Sequence, residues 1–286
     1  MEQKQLLSLK AEAARCRLNV LRMLAASGHG HVGGAFSAMD IVTALYFYKM
    51  HVDARDPKMA DRDRFLLSAG HKCLVQYAVL AEKGFFPKEI LDTYGSLGAK
   101  IPGHPDMHKL PGVEANTGAL GHGLSIAVGM ALSLRMDHPA SRVYVVMGDG
   151  ELAEGSNWEA AAAAAHYGLD NLVAFVDFNG LQISGPVQEI MNFTPIEEHF
   201  AAFGWAVKCI DGNDMEQIVD TLDQLPLTVG KPTMIVAKTV KAKGLSFGEG
   251  RVDFHFWNTD PERLAQAESE LNAQLAQYRE EWEALS

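Results

Sequence analysis

The sequence has few cysteines and no excess of positive charge. Only three cysteines occur, Cys16, Cys73 and Cys209, and none forms a CxxC pair. This pattern gives no disulfide framework and no zinc-finger spacing, so we expect three buried thiols. Lys and Arg number 25 against 36 Asp and Glu, a net charge of −11. That balance argues against nucleic-acid binding through phosphate contacts and against attachment to an anionic membrane.

Long apolar segments are also missing. No uninterrupted apolar run reaches the roughly 18 residues of a membrane span. The polar start, Met1 to Lys10, lacks the apolar core of a signal peptide. Apolar residues make up 48% of the chain and charged residues 21%, which is usual for a folded domain. The sequence therefore predicts a folded cytoplasmic protein with no membrane span.

Apolar strands alternate with helices of ten residues or more, most regularly from residue 124 onward. Strands are predicted over 65–67, 142–147, 172–177, 206–210 and 233–237. Helices are predicted over 6–26, 72–83, 124–136, 157–167, 195–203 and 215–225, with another that Ser37 caps and that runs to about residue 48. Such alternation indicates a parallel sheet with covered faces. We expect one doubly wound α/β domain over 1–286, with helices on both faces of a mostly parallel sheet and a C-terminal helix over about 260–283.

Two candidate ligand-binding segments follow predicted strands. Gly148-Asp149-Gly150 comes directly after strand 142–147, and Asn179 comes just after strand 172–177. Because ligands bind beyond the carboxyl ends of parallel strands, the Asp149 carboxylate and the Asn179 amide oxygen should lie side by side. Such oxygen donors suit Mg²⁺ or Ca²⁺, and the glycines let the backbone approach the phosphates of a ligand. Gly-Asp-Gly alone is a common turn, so a ligand-binding site is indicated only because Asn179 follows at the spacing of a βαβ unit.

At this point the sequence resembles a known family. The stretch from Gly148-Asp149-Gly150 to Asn179 is similar to the thiamine-diphosphate-binding signature. More widely, the chain resembles the N-terminal, diphosphate-binding part of transketolase. The resemblance covers about residues 10–255 and is carried, in the family's order, by Gly30-His31-Val32-Gly33-Gly34, Ser68-Ala69-Gly70-His71, Pro102-Gly103-His104-Pro105, Leu110-Pro111-Gly112-Val113-Glu114, Thr117-Gly118-Ala119-Leu120-Gly121-His122-Gly123 and Gly148-Asp149-Gly150-Glu151-Leu152-Ala153-Glu154-Gly155. One departure is Phe178, where the family often has an asparagine.

The resemblance implies a cofactor and a metal, with residues for each. Asp149, Asn179 and the Leu181 carbonyl would bind Mg²⁺, or alternatively Ca²⁺ or Mn²⁺. The residues implied for thiamine diphosphate are His71, Gly118, Leu120, Gly148, Asp149, Gly150, Glu154 and Asn179. Glu154 and Glu159 would also lie at a dimer contact, although Glu159 equally suits the first turn of a helix.

Four histidines match those that surround the reactive carbon of the cofactor in transketolases: His31, His71, His104 and His255. Cleaving a ketose removes a proton from a hydroxyl group and returns one to the acceptor aldehyde, which imidazole can do near neutral pH. By resemblance, His104 would hold the terminal hydroxyl of the donor and His71 would lie near the reacting carbon. His31 and His255 would serve the proton transfers. The family usually has a glycine after this last histidine, whereas here Phe256 follows, which predicts a differently shaped loop.

Other interpretations of these residues are weaker. His29 and His31 with His104 and His108 could suggest zinc, but no acidic or thiol ligand stands at a standard spacing. Gly28, Gly30 and Gly33 match the dinucleotide-binding fingerprint formally, but they follow a predicted helix rather than a strand. The basic cluster of Lys238, Lys241 and Lys243 could lie near an anionic substrate or be a solvated strand end.

A full transketolase is roughly twice this length, and the resemblance leaves no room here for the domain that binds the pyrimidine of the cofactor. The expected protein is therefore the first subunit of a split transketolase. It would transfer a two-carbon ketol unit from a ketose phosphate to an aldose acceptor, act only with a partner chain, and form a symmetric assembly of two plus two. The alternatives are a non-catalytic cofactor-binding module and the α-type subunit of a 2-oxo acid decarboxylating complex.

Overall fold

Seven strands occur in the computed structural model, which describes residues 2–285. In chain order they are β1 (His29–Gly30), β2 (Arg64–Leu67), β3 (Val143–Gly148), β4 (Leu172–Phe178), β5 (Ala206–Asp211), β6 (Thr233–Lys238) and β7 (Trp257–Asn258). Five of them form a parallel sheet in the order β2-β3-β4-β6-β5, and β1 pairs with β7 in a short antiparallel ribbon. The expected doubly wound α/β fold is confirmed.

Helices cover both faces of the sheet. They are α1 (Gln3–Ser27), α2 (Val32–Ser37), α3 (Met39–Ala44), α4 (Cys73–Lys83), α5 (His122–Asp137), α6 (Gly155–His166), α7 (Val187–Ile190), α8 (Ile196–Ala202), α9 (Met215–Asp223) and α10 (Pro261–Ala284). A π-helical turn over Leu45–Lys49 extends α3. Within residues 2–285, no helix is both long and apolar enough to cross a membrane.

The strands are buried on both faces because their sequences are continuous apolar runs. Along β3 the side chains alternate between two cores: Tyr144 and Val146 enter one, whereas Val143, Val145 and Met147 enter the other. The first core lies against α1, α3 and α4, and the second lies against α5, α6 and α8. The register aligns Gly148 with Asp177, and Asp177 with Ala237, at the carboxyl end of the sheet. Three loops therefore begin side by side at that edge.

Two expectations about single residues are wrong. Ser37 does not cap a helix; it is the last residue of α2, and its hydroxyl donates to the Gly34 carbonyl and to Asp177 Oδ2 (2.6 Å). The Ser37 hydroxyl therefore bonds to the buried Asp177 carboxylate and not to the backbone amides at a helix start. Cys209 is exposed, unlike Cys16 and Cys73, because it lies on the edge strand β5.

Candidate functional site

A cavity of about 340 Å³ opens at the carboxyl end of β3 and β4. Nine of the residues predicted for catalysis, cofactor or metal binding line it: His31, His71, Leu120, Gly148, Asp149, Gly150, Asn179, Leu181 and His255. A larger groove of about 800 Å³ lies around Arg142, at the opposite end of β3, and holds none of these residues. The cavity at the carboxyl end is the candidate site because the predicted chemistry converges there.

Asp149 joins the ends of two neighbouring strands. Its buried carboxylate accepts hydrogen bonds from the Gly150 amide (2.7 Å) and, across the sheet, from the Gly180 amide (2.6 Å). Asn179 Oδ1 accepts from the Leu181 amide at 3.1 Å, which holds that side chain beside the same loop. The structure thus brings Asp149 and Asn179 together at one edge. Burial raises the pKa of Asp149 to about 6, and nearby Lys72 opposes that shift.

The donor set suits a divalent cation bound together with an anion. Each carboxylate oxygen of Asp149 accepts one protein hydrogen bond and keeps a free lone pair. The Leu181 carbonyl accepts from the Lys241 ammonium at 3.2 Å and keeps its second lone pair for a metal ion. Gln182 Nε2 is buried in the cavity wall without a hydrogen-bond partner. A phosphate oxygen would satisfy that donor, and the residues therefore fit both a metal and a diphosphate group.

Gln182 packs closely on Gly150. A Cβ at position 150 would lie 2.9 Å from Gln182 Cγ, so the Gln182 side chain would have to shift. Because Gln182 lines the cavity, a larger residue at position 150 would change the cavity wall.

Glu151 is a site-building residue that the sequence reasoning did not single out. Its buried carboxylate accepts from the Ser68 hydroxyl, the Gly121 amide (2.8 Å) and the Gly148 amide (3.1 Å). These donors come from the end of β2, the loop before α5 and the end of β3. Burial raises the pKa of Glu151 despite those bonds. The sequence alone does not show whether an acidic residue after a strand, such as Glu151, is buried or lies on the surface.

Three of the four predicted histidines surround one point of the cavity. The ring centroids of His31, His71 and His255 lie 5.3 Å, 5.4 Å and 5.3 Å apart in their three pairs. Burial lowers the pKa of His71 to about 2, with Lys72 adding to the effect, and burial beside Lys241 lowers the pKa of His255 to about 4. Burial also lowers the pKa of His31. The cluster is therefore neutral at pH 7.

Lys241 orients His255. The ammonium lies 3.2 Å from His255 Nδ1, and since Lys241 can only donate, Nδ1 is the acceptor and Nε2 carries the proton of the neutral ring. Burial lowers the pKa of Lys241 to about 8. The basic cluster expected from the sequence is split: Lys241 lines the cavity, whereas Lys238 is exposed and Lys243 pairs with Glu249 at 3.3 Å.

The other predicted residues lie outside the cavity lining. His104 is exposed, and its ring packs on Gly118, where a Cβ would come within 2.6 Å of His104 Cδ2. Gly118 has φ +136°, which favours glycine. Glu154 is exposed at the start of α6 and packs near Gly121. The structure neither places Glu154 in the cavity wall nor gives it a hydrogen-bond partner there.

Phe256 packs against two histidines beside the cavity. Its ring meets His31 edge-on at 4.9 Å and stacks on His29 at 5.4 Å. The ribbon of β1 and β7 fixes this arrangement, because Gly30 pairs with Trp257 directly after Phe256. The loop after His255 therefore carries an aromatic ring at the position where the family usually has glycine.

The zinc interpretation finds no support in the side-chain geometry. Across residues 2–285, no three His, Cys, Asp or Glu side chains come together as a metal-binding group. The glycines of the formal dinucleotide fingerprint begin at the C-terminal cap of α1, with Gly28 at φ +76°, and not at the end of a sheet strand.

Comparison with known proteins relates nearly the whole chain to transketolases, the family that its sequence motifs resemble. The family described as "Transketolase, thiamine diphosphate binding domain" matches residues 9–278. The chain is 42% identical over 273 residues to the 6-deoxy-6-sulfo-D-fructose transketolase subunit of Clostridium sp. strain MSTE9, covering 96% of this chain and 99% of that one. It is 41% identical over 279 residues to an apulose-4-phosphate transketolase subunit of Phocaeicola vulgatus, covering 98% of each.

Longer relatives match in sequence and in shape. Human transketolase is 37% identical over 255 residues, which are 89% of this chain but 40% of the human protein. The crystal structure of transketolase from Campylobacter jejuni superposes with a TM-score of 0.87 at 30% identity, over 97% of this chain and 46% of that one. The chain thus spans about half the length of the solved transketolases. It belongs to the transketolase family, of which it represents the thiamine diphosphate binding domain.

Proposed function

We propose that the chain is the diphosphate-binding subunit of a split transketolase. With a partner chain it transfers a two-carbon ketol unit from a ketose phosphate to an aldose acceptor, using thiamine diphosphate and a divalent metal. The observation that carries this proposal is the cavity in which three neutral imidazoles stand beside the Asp149–Asn179 edge. Groups that would bind a diphosphate and groups that would move protons both line this cavity.

The length of the relatives supports a second chain. The two subunit-type relatives are matched almost end to end, whereas human transketolase is matched over 40% of its length. The missing part would lie on a C-terminal transketolase subunit that supplies the pyrimidine-binding domain. We propose an assembly of two copies of each chain, because paired active sites of this kind are built across symmetric interfaces.

The cofactor and metal would be held at the carboxyl edge. Asp149, Asn179 and the Leu181 carbonyl would bind Mg²⁺, and Gly148, Gly150 and the unpartnered Gln182 amide would face the diphosphate. When bound, thiamine diphosphate supplies the nucleophilic carbon that accepts the two-carbon unit. The remaining polar groups of the cavity are then free to act on the sugars.

The histidines would handle the sugar hydroxyls and protons. A neutral ring can accept a proton on one nitrogen while donating a hydrogen bond from the other. His255 has Nε2–H available because Nδ1 accepts from Lys241. His31, 5.4 Å away, would share the proton of the cleaved donor's hydroxyl and return it to the acceptor aldehyde. His71 would lie near the reacting carbon, and His104 would hold the terminal hydroxyl of the donor.

We propose a sugar with an anionic end group as the donor class. The two subunit-type relatives are named for different sugars, 6-deoxy-6-sulfo-D-fructose and apulose 4-phosphate, at nearly equal identity. Identity therefore does not choose between them, whereas an anionic end is common to both names.

A donor panel assayed on the two-chain complex tests the proposal. It contains xylulose 5-phosphate, 6-deoxy-6-sulfofructose and apulose 4-phosphate, with ribose 5-phosphate as acceptor. We expect two-carbon transfer from at least one donor, and His104→Ala should lower the rate while thiamine diphosphate stays bound. A complex that keeps its cofactor and its rate after His104→Ala would contradict the assignment, since a carrier module does not need that imidazole. The α-type decarboxylase alternative is not favoured, because the subunit-type relatives are transketolases.

A further inference from the structure

A buried ion pair lies under the candidate diphosphate site. Asp177, the residue of β4 that aligns with Gly148, has a completely buried carboxylate. It accepts from Lys72 Nζ at 2.7 Å, from the Ser37 hydroxyl at 2.6 Å and from the Thr239 hydroxyl. Three separate segments of the chain are thereby fixed to the end of one central strand.

This network reaches the predicted metal-binding loop. Asn179 follows Asp177 by two residues, and its Nδ2 lies 3.4 Å from the same Ser37 hydroxyl. Thr239 continues the neighbouring strand β6, and its amide donates to the Phe178 carbonyl at 3.0 Å. The position of Asn179 is therefore set from both sides by groups that Asp177 holds.

Lys72 occupies this place because Gly34 leaves room for it. Its aliphatic stem lies where a Cβ on Gly34 would come within 2.7 Å, and its ammonium would lie 3.4 Å from a Cβ on Gly148. The side chain is 4% exposed, yet it lines the cavity together with Asp149 and His71. The ammonium thus stands between Asp177 below and the Gly148-Asp149-Gly150 loop above.

We propose that Lys72 is a fixed positive charge of the diphosphate site, a positioning residue that strengthens diphosphate binding in addition to neutralising Asp177. This inference rests on the proposed function, because it assumes that a diphosphate group binds at the Asp149 loop. Lys72 lines the cavity whereas Asp177 does not, so the ammonium is the nearer charge of the pair to a bound anion, and little water screens it there. Its orientation needs no adjustment when the anion arrives, because Asp177 already holds it.

A simpler role is that Lys72 serves only to compensate Asp177. Removing one partner of a buried pair leaves an uncompensated charge, so Lys72→Met alone would disturb the fold whichever role is correct. The double variant Lys72→Met/Asp177→Asn separates the two roles, because it removes both charges while the introduced amide oxygen can still accept from Ser37 and Thr239. In that variant only the field on the cavity is lost.

Inorganic pyrophosphate with Mg²⁺ is the probe, titrated into the full-length chain by isothermal calorimetry. The set comprises wild type, Lys72→Met/Asp177→Asn, Lys72→Arg and the control Arg62→Met/Glu114→Gln. Arg62 and Glu114 form a mostly buried ion pair outside the cavity, so this control also removes both charges of one pair. Circular dichroism and thermal melting establish that each variant is folded.

We expect the double variant to fold and to bind magnesium pyrophosphate about 10–100-fold more weakly, the usual cost of losing a supporting group at such a site. Lys72→Arg should lose less affinity, and Arg62→Met/Glu114→Gln should bind as wild type does. A folded double variant with the dissociation constant of wild type would overturn the proposal and leave Lys72 a structural role. Absence of binding by wild type itself would instead overturn the diphosphate site, and with it the proposed function.

Discussion

Gly70→Ala is the substitution whose effect follows most directly from the geometry of the site. Gly70 precedes His71 in the Ser68-Ala69-Gly70-His71 motif and packs against the backbone of the loop that contains Gly118. A Cβ at position 70 would lie 2.6 Å from the Thr117 carbonyl carbon and 2.7 Å from the Gly118 amide nitrogen. Both contacts are with backbone, so no change of rotamer can relieve them.

The size of the effect can be worked from these distances. Ordinary contacts of a Cβ begin at 3.4 Å, so the two loops must separate by about 0.8 Å in a close-packed region. Overpacking of this kind costs about 1–3 kcal/mol of stability. Both His71 and the His104 ring on Gly118 would move, and a misplacement of about 1 Å can lower the rate about 10²-fold.

Thermal melting of the chain and kcat/KM of the two-chain complex are the assays. Gly129→Ala is the matched control, because Gly129 lies within α5 and its Cβ would meet nothing within 4 Å. That control should melt at the same temperature or slightly higher, since alanine favours a helix over glycine by up to about 1 kcal/mol. Gly70→Ala with the melting temperature and kcat/KM of wild type would contradict the close packing of Gly70 against the Thr117–Gly118 backbone.

Three further outcomes are expected. Burial lowers the pKa of His71 and His255 below the usual value of 6.5. Below pH 6.5 the unfolded chain therefore binds more protons than the folded chain, and stability falls as the pH drops toward about 4. His71→Gln should flatten this fall in melting temperature between pH 7 and 5, and an unchanged slope would contradict the burial of a neutral His71. Phe256→Gly should raise kcat/KM for bulkier acceptors, because it frees space beside His31, with little change in melting temperature. Phe203 is comparably exposed but packs on Trp158, so Phe203→Ala should leave the acceptor profile unchanged. Equal acceptor profiles for both variants would mean that Phe256 does not limit acceptor size. A thiol reagent should modify Cys209 quickly and the two buried cysteines only on unfolding, and rapid reaction of more than one thiol in the native chain would contradict the packing.

Much of the fold is readable from the sequence because buried parallel strands leave a strong pattern. The run from Val143 to Met147 has no polar side chain apart from a tyrosine hydroxyl, and the structure forms β3 there. Element ends are less readable, because they depend on contacts made elsewhere. Ser37 illustrates this: a serine hydroxyl favours a helix N-cap, but Asp177, distant in sequence, provides a buried acceptor.

Within the site, spacing along the strands predicts which residues meet, whereas the supporting charges are not predicted. Asp149 and Asn179 meet because adjacent parallel strands end together. From the sequence, Lys72 is a polar residue at the start of a helix; its side chain turns inward because Gly34 leaves room for it and Asp177 accepts its hydrogen bond. Lys241 lies in a basic cluster whose three members have similar local sequence but different burial. Such differences arise from tertiary packing, which one sequence does not specify.

Comparing ketol transfer by the single chain with that by the two-chain complex tests whether this chain supplies only part of the active site. Two-carbon transfer from the donor panel to ribose 5-phosphate would be followed with Mg²⁺ and thiamine diphosphate present. We expect turnover by the complex and none by the purified single chain, because we propose that the second half of the active site lies on the partner. Turnover by the single chain at the rate of the complex would contradict it.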